Sequence, residues 1–200
     1  MTLDQFRPHM QGITRPVVTL TRKLGITPNE LSAASFFVSV LAGIAFYAGD
    51  IVVGVTMVAL NAIFDALDGA LARDMGVAGP RGDFLDHVID RYADIFIITG
   101  IFAGGAAPWP IGVFALTGVL MSSYLGTQAQ AVGVGRYYGG ILGRADRLVL
   151  IIMASILTIA IPGEIYGLNY LGWILVIFGI LGHYTAIQRF AHVWQNIEDR

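Results

Sequence analysis

Residues 64–90 read FDALDGALARDMGVAGPRGDFLDHVID and hold six aspartates in 27 residues of a chain that is otherwise mostly apolar. Asp65 and Asp68 close one apolar run; Asp86 and Asp90 open the next. The Gly/Pro-rich stretch MGVAGPRG at 75–82 separates the runs and is a turn signal. The stretch therefore predicts two antiparallel helices joined by a tight connection. Asp65 and Asp68 stand at i,i+3 and Asp86 and Asp90 at i,i+4, so each pair shares one helix face. Both pairs converge at the same end of the helix pair.

Working outward, the setting is a membrane. Of the 200 residues 56 % are apolar and 13 % charged, and the mean hydropathy is +0.69. Soluble domains carry about 25 % charged residues. Apolar stretches long enough to cross a hydrocarbon core of roughly 30 Å recur along the chain. The expected fold is all-α: a polytopic membrane protein with six transmembrane helices at about 30–48, 51–72, 83–104, 110–131, 146–162 and 168–190. Gly/Pro-rich breaks separate them: AGD (48–50), MGVAGPRG, GGAAPWP (104–110), GVGRYYGGILG (133–143) and IPGEIYGLN (161–169). Residues 2–22 are expected to form an amphipathic interfacial helix, with no cleavable leader visible. Residues 1–200 form one domain without internal repeats. There is no cysteine, which excludes disulfides and thiolate chemistry.

All twelve Lys and Arg fall in the N-terminal segment, the 2–3 and 4–5 connections, the C-terminus or the adjoining helix ends. By the positive-inside rule both termini and the aspartate-rich connection face the cytoplasm, in the plasma membrane.

Four carboxylates so close cannot all stay ionised without cations. Hard oxygen ligands suit Mg²⁺, Mn²⁺ or Ca²⁺ rather than zinc. Their number suits two ions, and two metals about 3.5–4 Å apart are the usual arrangement for displacement at phosphorus. Gly69 and Gly82 allow a backbone or a ligand to approach closely, Ala72 extends the small face of Gly69, and Arg73 is placed to hold a phosphate. Asp74 and Asp83 read as solvated interfacial residues, and His87 as facing away from Asp86 and Asp90. Asp94 pairs with Arg91 or supports the site from behind. In TPNELS (27–32), Asn29 reads as an N-cap and Ser32 as a cap or hydrogen-bond donor.

The pattern Asp65-x2-Asp68-Gly69-x2-Ala72-Arg73-x8-Gly82-x3-Asp86-x3-Asp90 resembles the signature of the CDP-alcohol phosphotransferase (CDP-alcohol phosphatidyltransferase) family at all eight positions. The resemblance implies a metal-dependent enzyme of phospholipid synthesis. It would transfer a phosphatidyl or archaetidyl group from a CDP-lipid to an alcohol and release CMP. Asp65, Asp68, Asp86 and Asp90 would bind two ions, Mg²⁺ or Mn²⁺. Asp90 would also be the general base, and Gly69, Ala72, Arg73 and Gly82 would cradle the CDP-lipid. Implied partners are the CDP-lipid, a small polar alcohol, membrane lipids and a second copy of the chain as a homodimer, with no nucleic acid.

The stretches TRPVV (14–18), DRYAD (90–94) and GRADRLVL (143–150) resemble the inositol-phosphate branch of that family, and FLDHVIDRYAD (84–94) and SSYLGTQAQAVG (122–133) resemble its archaeal members. By that resemblance Arg147 and Arg189, with Arg144, bind the phosphate of inositol phosphate or glycerol phosphate; the plain alternative is snorkelling topology anchors. Where the branch carries a Lys and an Arg, this chain has Gly126 and Gln128, a departure that leaves room for an unphosphorylated acceptor such as serine. A cation transporter is the rival from another class, since intramembrane carboxylates mark ion pathways. The outer half of every span lacks ionisable residues, and Arg73 stands beside the ligands, both against a cation route.

Overall fold

Among the described residues, seven helices make up most of the backbone. The computed structural model describes residues 7–198, with side chains from Arg15 onward. In chain order the helices are α1 (Arg7–Lys23), α2 (Pro28–Tyr47), α3 (Ile51–Asp74), α4 (Pro80–Ala103), α5 (Trp109–Ala131), α6 (Arg144–Ala160) and α7 (Tyr170–Asn196). Among the described residues there is no strand, only an isolated bridge between Ile165 and Leu168.

Local chemistry sets the helix starts. Thr27 caps α2 in a box with Glu30: the Glu30 amide donates to Thr27 Oγ1, and the Thr27 amide donates to the Glu30 carboxylate. The cap is thus Thr27, not the expected Asn29, because Pro28 takes the first helical position. Asp50 caps α3 and Asn169 caps α7 through side-chain oxygens. Asp146 accepts from the Gly143 amide at the start of α6. Turn glycines at 25, 49, 76, 105 and 133 have positive φ and lie just past the helix ends.

The expected spans match α2 to α6 to within three residues at each end, while α7 runs six residues beyond its expected end, to Asn196. Four of them, α2, α3, α5 and α7, are long and apolar enough to cross a membrane. The other two fall short of that standard for physical reasons. Helix α4 carries Arg81, Asp83, Asp86, Asp90, Arg91 and Asp94, and α6 has 17 residues and starts with Arg144, Asp146 and Arg147. The first helix is present from Arg7, and residues 2–6 of the expected span lie outside the described residues. Its Val18 packs with Leu31, Leu67 and Leu71, while Val17, Leu20 and Leu24 are exposed.

Close helix approach depends on glycine, as it must where lipid tails are as apolar as leucine. A Cβ on Gly100 of α4 would overlap the backbone of Gly43 on α2, and one on Gly43 would lie 2.5 Å from the Phe96 carbonyl. Gly118 of α5 and Gly179 and Gly182 of α7 are in similar contact. The core along these seams includes Val58, Ile97, Ile98, Ile101, Leu171, Leu175 and Phe178. Outward lie Phe37, Leu41, Ile44, Ile63, Met153, Ile156, Ile180 and Ile187, all exposed. Apolar surface on that scale is covered by lipid, not water.

Candidate active site

The site lies where α3 ends, α4 and α6 begin, and α5 and α7 approach them. Asp65, Asp86 and Asp90 each present an oxygen, and the three oxygens lie within 4.8 Å of one another. Two turns of α4 and the end of α3 produce this, as the i,i+4 spacing and the short connection require. Asp68 does not join the group. It is buried on α3, and its Oδ2 accepts a hydrogen bond from Ser32 of α2 at 2.6 Å. The expected quartet is a triad plus a neighbour whose visible oxygen is engaged by a hydroxyl.

Basic groups complete the site. Arg144 Nη1 lies 2.7 Å from Asp65 Oδ1 and 2.9 Å from Asp90 Oδ1. Arg91 Nη2 stands 3.6 Å from Asp90 and 3.7 Å from Asp94. Arg147, only 2 % exposed, donates to the buried Asp94 at 2.6 Å. Acid and base thus alternate along one line: Asp65, Arg144, Asp90, Arg91, Asp94, Arg147. Asp94, whose role the sequence left open, joins two arginines. The Nε–H groups of Arg91, Arg144 and Arg147 are buried without a hydrogen-bond partner. Buried donors are normally paired, so three unmet donors in one region suit an anion.

The chemistry of this donor set fits a divalent metal. The triad is all-oxygen and tightly grouped. The nucleotide-side residues fit as well. An added Cβ at Gly82 would meet nothing within 4 Å, and at Gly69 only the mobile end of Arg73, at 3.2 Å. Intramolecular packing does not demand glycine at either place. Arg73 is exposed and folds back over Gly69, and Ala72 is half-buried.

Arg189, expected at the acceptor phosphate, is engaged by backbone carbonyls. It donates to the carbonyls of Ser122 at 2.6 Å, Gly139 at 2.8 Å and Tyr138 at 3.5 Å. Two of its five donors remain. It therefore pins the 132–143 connection to α5 and α7. Gly126 explains how: a Cβ there would lie 2.7 Å from Arg189 Nη1 and 2.8 Å from the Tyr137 carbonyl. The glycine is room for Arg189. Tyr137 also donates its amide to Gly126 and stacks on His192, with ring centroids 3.8 Å apart. Arg136 makes a forked pair with Asp83 at 2.7 and 2.8 Å and donates to the Tyr138 hydroxyl, contacts that push its pKa further up. Asp83 and Asp74 are exposed as expected, but each holds an arginine: Asp83 binds Arg136 and Asp74 binds Arg22 at 3.0 Å.

Sequence reasoning named Arg91 only as a partner for Asp94 and missed Asn61. Arg91 borders a cavity of about 250 Å³ with His87, Leu120, Ser123, Tyr124 and Thr127. Asn61, buried and held by Ser35, reaches Arg144 at 3.4 Å. Its signal was available, since it stands at i,i+4 from Asp65. His87 lines the cavity, with Nδ1 3.9 Å from Asp86.

A helical membrane protein that gathers carboxylates able to hold a metal beside arginines with unmet donors defines a class: a membrane transferase acting on phosphate esters. The particular family follows from comparison. The family model for CDP-alcohol phosphatidyltransferase matches residues 25–184, and the chain belongs to that family. It is an enzyme of phospholipid synthesis, a CDP-alcohol phosphotransferase. Archaetidylinositol phosphate synthase from Pyrococcus horikoshii is 35 % identical over 88 % of this chain and 93 % of its own length. The crystal structure of Mycobacterium tuberculosis phosphatidylinositol phosphate synthase with CDP-DAG bound superposes with a TM-score of 0.81. It covers 94 % of this chain and 98 % of that one at 25 % identity. A structure of the same enzyme in complex with manganese and citrate gives a TM-score of 0.80 over 92 % of this chain and 91 % of that one. At 24 % identity it is a likeness of fold.

Proposed function

We propose that the protein transfers the phosphatidyl or archaetidyl group of a CDP-lipid to a hydroxyl of a phosphorylated polyol, inositol phosphate first and glycerol phosphate second. The observation that carries this reading is the carboxylate triad running directly into Arg144, Arg91 and Arg147, whose buried Nε–H groups lack partners. One end of that line suits cations, the other a second anion besides the nucleotide. The printed names of the relatives, archaetidylinositol and phosphatidylinositol phosphate synthases, support it.

In this reading Asp65, Asp86 and Asp90, with Asp68, hold two Mg²⁺ or Mn²⁺ ions, which when bound neutralise the pyrophosphate and polarise its β-phosphorus. Arg73 steadies the pyrophosphate, and Gly69, Ala72 and Gly82 let the nucleotide lie against backbone. The acceptor phosphate rests on the arginine group, Arg144, Arg147 and Arg189 with Arg91 added. Ser123 and Thr127 face polyol hydroxyls in the cavity beside Arg91. Asp90 takes the proton of the attacking hydroxyl. The acceptor oxygen bonds to the β-phosphorus, the bond from that phosphorus to the CMP oxygen breaks, and CMP leaves. Helices α4 and α6 join the four apolar helices as spans; α6, about 26 Å long, is near the minimum. Both termini and the site are cytoplasmic, and the chain works as a homodimer in the plasma membrane.

The test is CMP release from purified protein given a CDP-lipid and a panel of acceptors. Inositol phosphate should run at least tenfold faster than inositol or serine. EDTA should abolish turnover, and Mn²⁺ or Mg²⁺ should restore it. Serine as the fastest acceptor, or full activity in EDTA, would sink the reading.

A further inference from the structure

We infer that Arg144 is a built-in cation that holds the carboxylate cluster together before metal arrives, and that metal binding releases its guanidinium to the acceptor phosphate. The central observation is one nitrogen. Arg144 Nη1 sits between Asp65 Oδ1 and Asp90 Oδ1, at 2.7 and 2.9 Å. Those two residues supply two of the three oxygen ligands of the tight triad. The guanidinium therefore engages the side chains that a divalent ion needs.

Charge explains both states. Three carboxylates gathered in a partly desolvated place repel one another, and an internal cation offsets that repulsion. A divalent ion brings twice the charge on a smaller radius. Once it is bound to Asp65 and Asp90, the guanidinium would face it at short range with the same sign, and the weaker cation leaves.

Little else holds Arg144 in place. Its Nη2 reaches Asn61 Oδ1 only at 3.4 Å, and its buried Nε donates no hydrogen bond. It is the first residue of α6, directly after Gly143. It does not need to seek Asp94, which already binds Arg147 at 2.6 Å and lies 3.7 Å from Arg91. A released Arg144 thus meets its need for an anion with one that a ligand brings. This second half rests on the phosphorylated acceptor proposed above; the first half does not. Metal and acceptor then bind cooperatively, each strengthening the other by the same factor.

The test titrates Mn²⁺ by calorimetry into metal-stripped protein in nanodiscs, for the parent, Arg144→Gln and Arg144→Lys. Loss of the internal competitor should tighten Mn²⁺ binding about fivefold or more in Arg144→Gln. Arg144→Lys keeps a charge in the site and guards against a folding defect; it should tighten binding by a smaller factor. Unchanged or weaker Mn²⁺ binding in both variants overturns the inference. A second titration uses inositol 1-phosphate with and without Mn²⁺. The parent should bind it more tightly with Mn²⁺, and Arg144→Gln should lose most of that gain. If Mn²⁺ binding responds as expected but inositol 1-phosphate never binds, the internal cation stands and the acceptor reading fails.

Discussion

Asp65 and Asp68 stand three residues apart on α3, yet only Asp65 meets Asp86 and Asp90, while Asp68 answers to Ser32 of α2. Spacing gives the face of a helix but not which neighbour each side chain finds there. At this scale the roles of the aspartates separate by measurement. Asp86→Asn removes a triad oxygen and should abolish turnover together with Mn²⁺ binding. Asp90→Asn should keep CDP-lipid binding while kcat falls by roughly 100-fold or more, as loss of a general base does. Turnover within a few-fold of the parent would remove Asp90 from that role. For Asp94 the sequence offered Arg91, which stands 3.7 Å away. The fold adds a closer one, because Arg147 arrives from α6, 53 residues away.

The 132–143 connection is the element whose structure sequence could not give. Its five glycines read as a flexible break, and instead it is tied at Arg136 to Asp83, at Tyr137 to His192 and Gly126, and at Gly139 to Arg189. These partners come from α4, α5 and α7, so no local pattern announces them. Gly126 shows the consequence. As a departure from its branch it looked like a lost charge; in the fold it is space filled by the guanidinium of Arg189. Gly126→Ala should displace Arg189 or Tyr137, at a cost of about 1–3 kcal/mol for overpacking. The Tyr137 amide, which donates to Gly126, should then exchange with solvent faster, and KM for the acceptor should rise while that for CDP-lipid holds. Unchanged exchange at Tyr137 would show that the connection does not depend on this contact.

For the whole molecule, the proposed orientation rests on the twelve basic residues, none of which falls in the 1–2, 3–4 or 5–6 connections of the sequence. The absence of native cysteine makes the test direct. A cysteine at Gly79, between α3 and α4, should react with an impermeant maleimide only from the cytoplasmic side. One at Ala106, between α4 and α5, should react only from outside. The reverse pattern would invert the protein, and labelling of both from one side would mean that α4 does not span.

The sequence alone determined the helices, most of their ends to within three residues, the Asp65/Asp68 and Asp86/Asp90 faces and the family signature. Apolar length, glycine breaks and i,i+3 or i,i+4 spacing are local properties that survive without knowledge of neighbours. Only the tertiary structure decided that Asp68 turns to Ser32, that Arg91 and Asp94 link the triad to Arg147, that Arg189 clamps a connection, and that Arg144 sits among the carboxylates. Long charged side chains settle where electrostatic demand and open space coincide, and both depend on helices far apart in the chain.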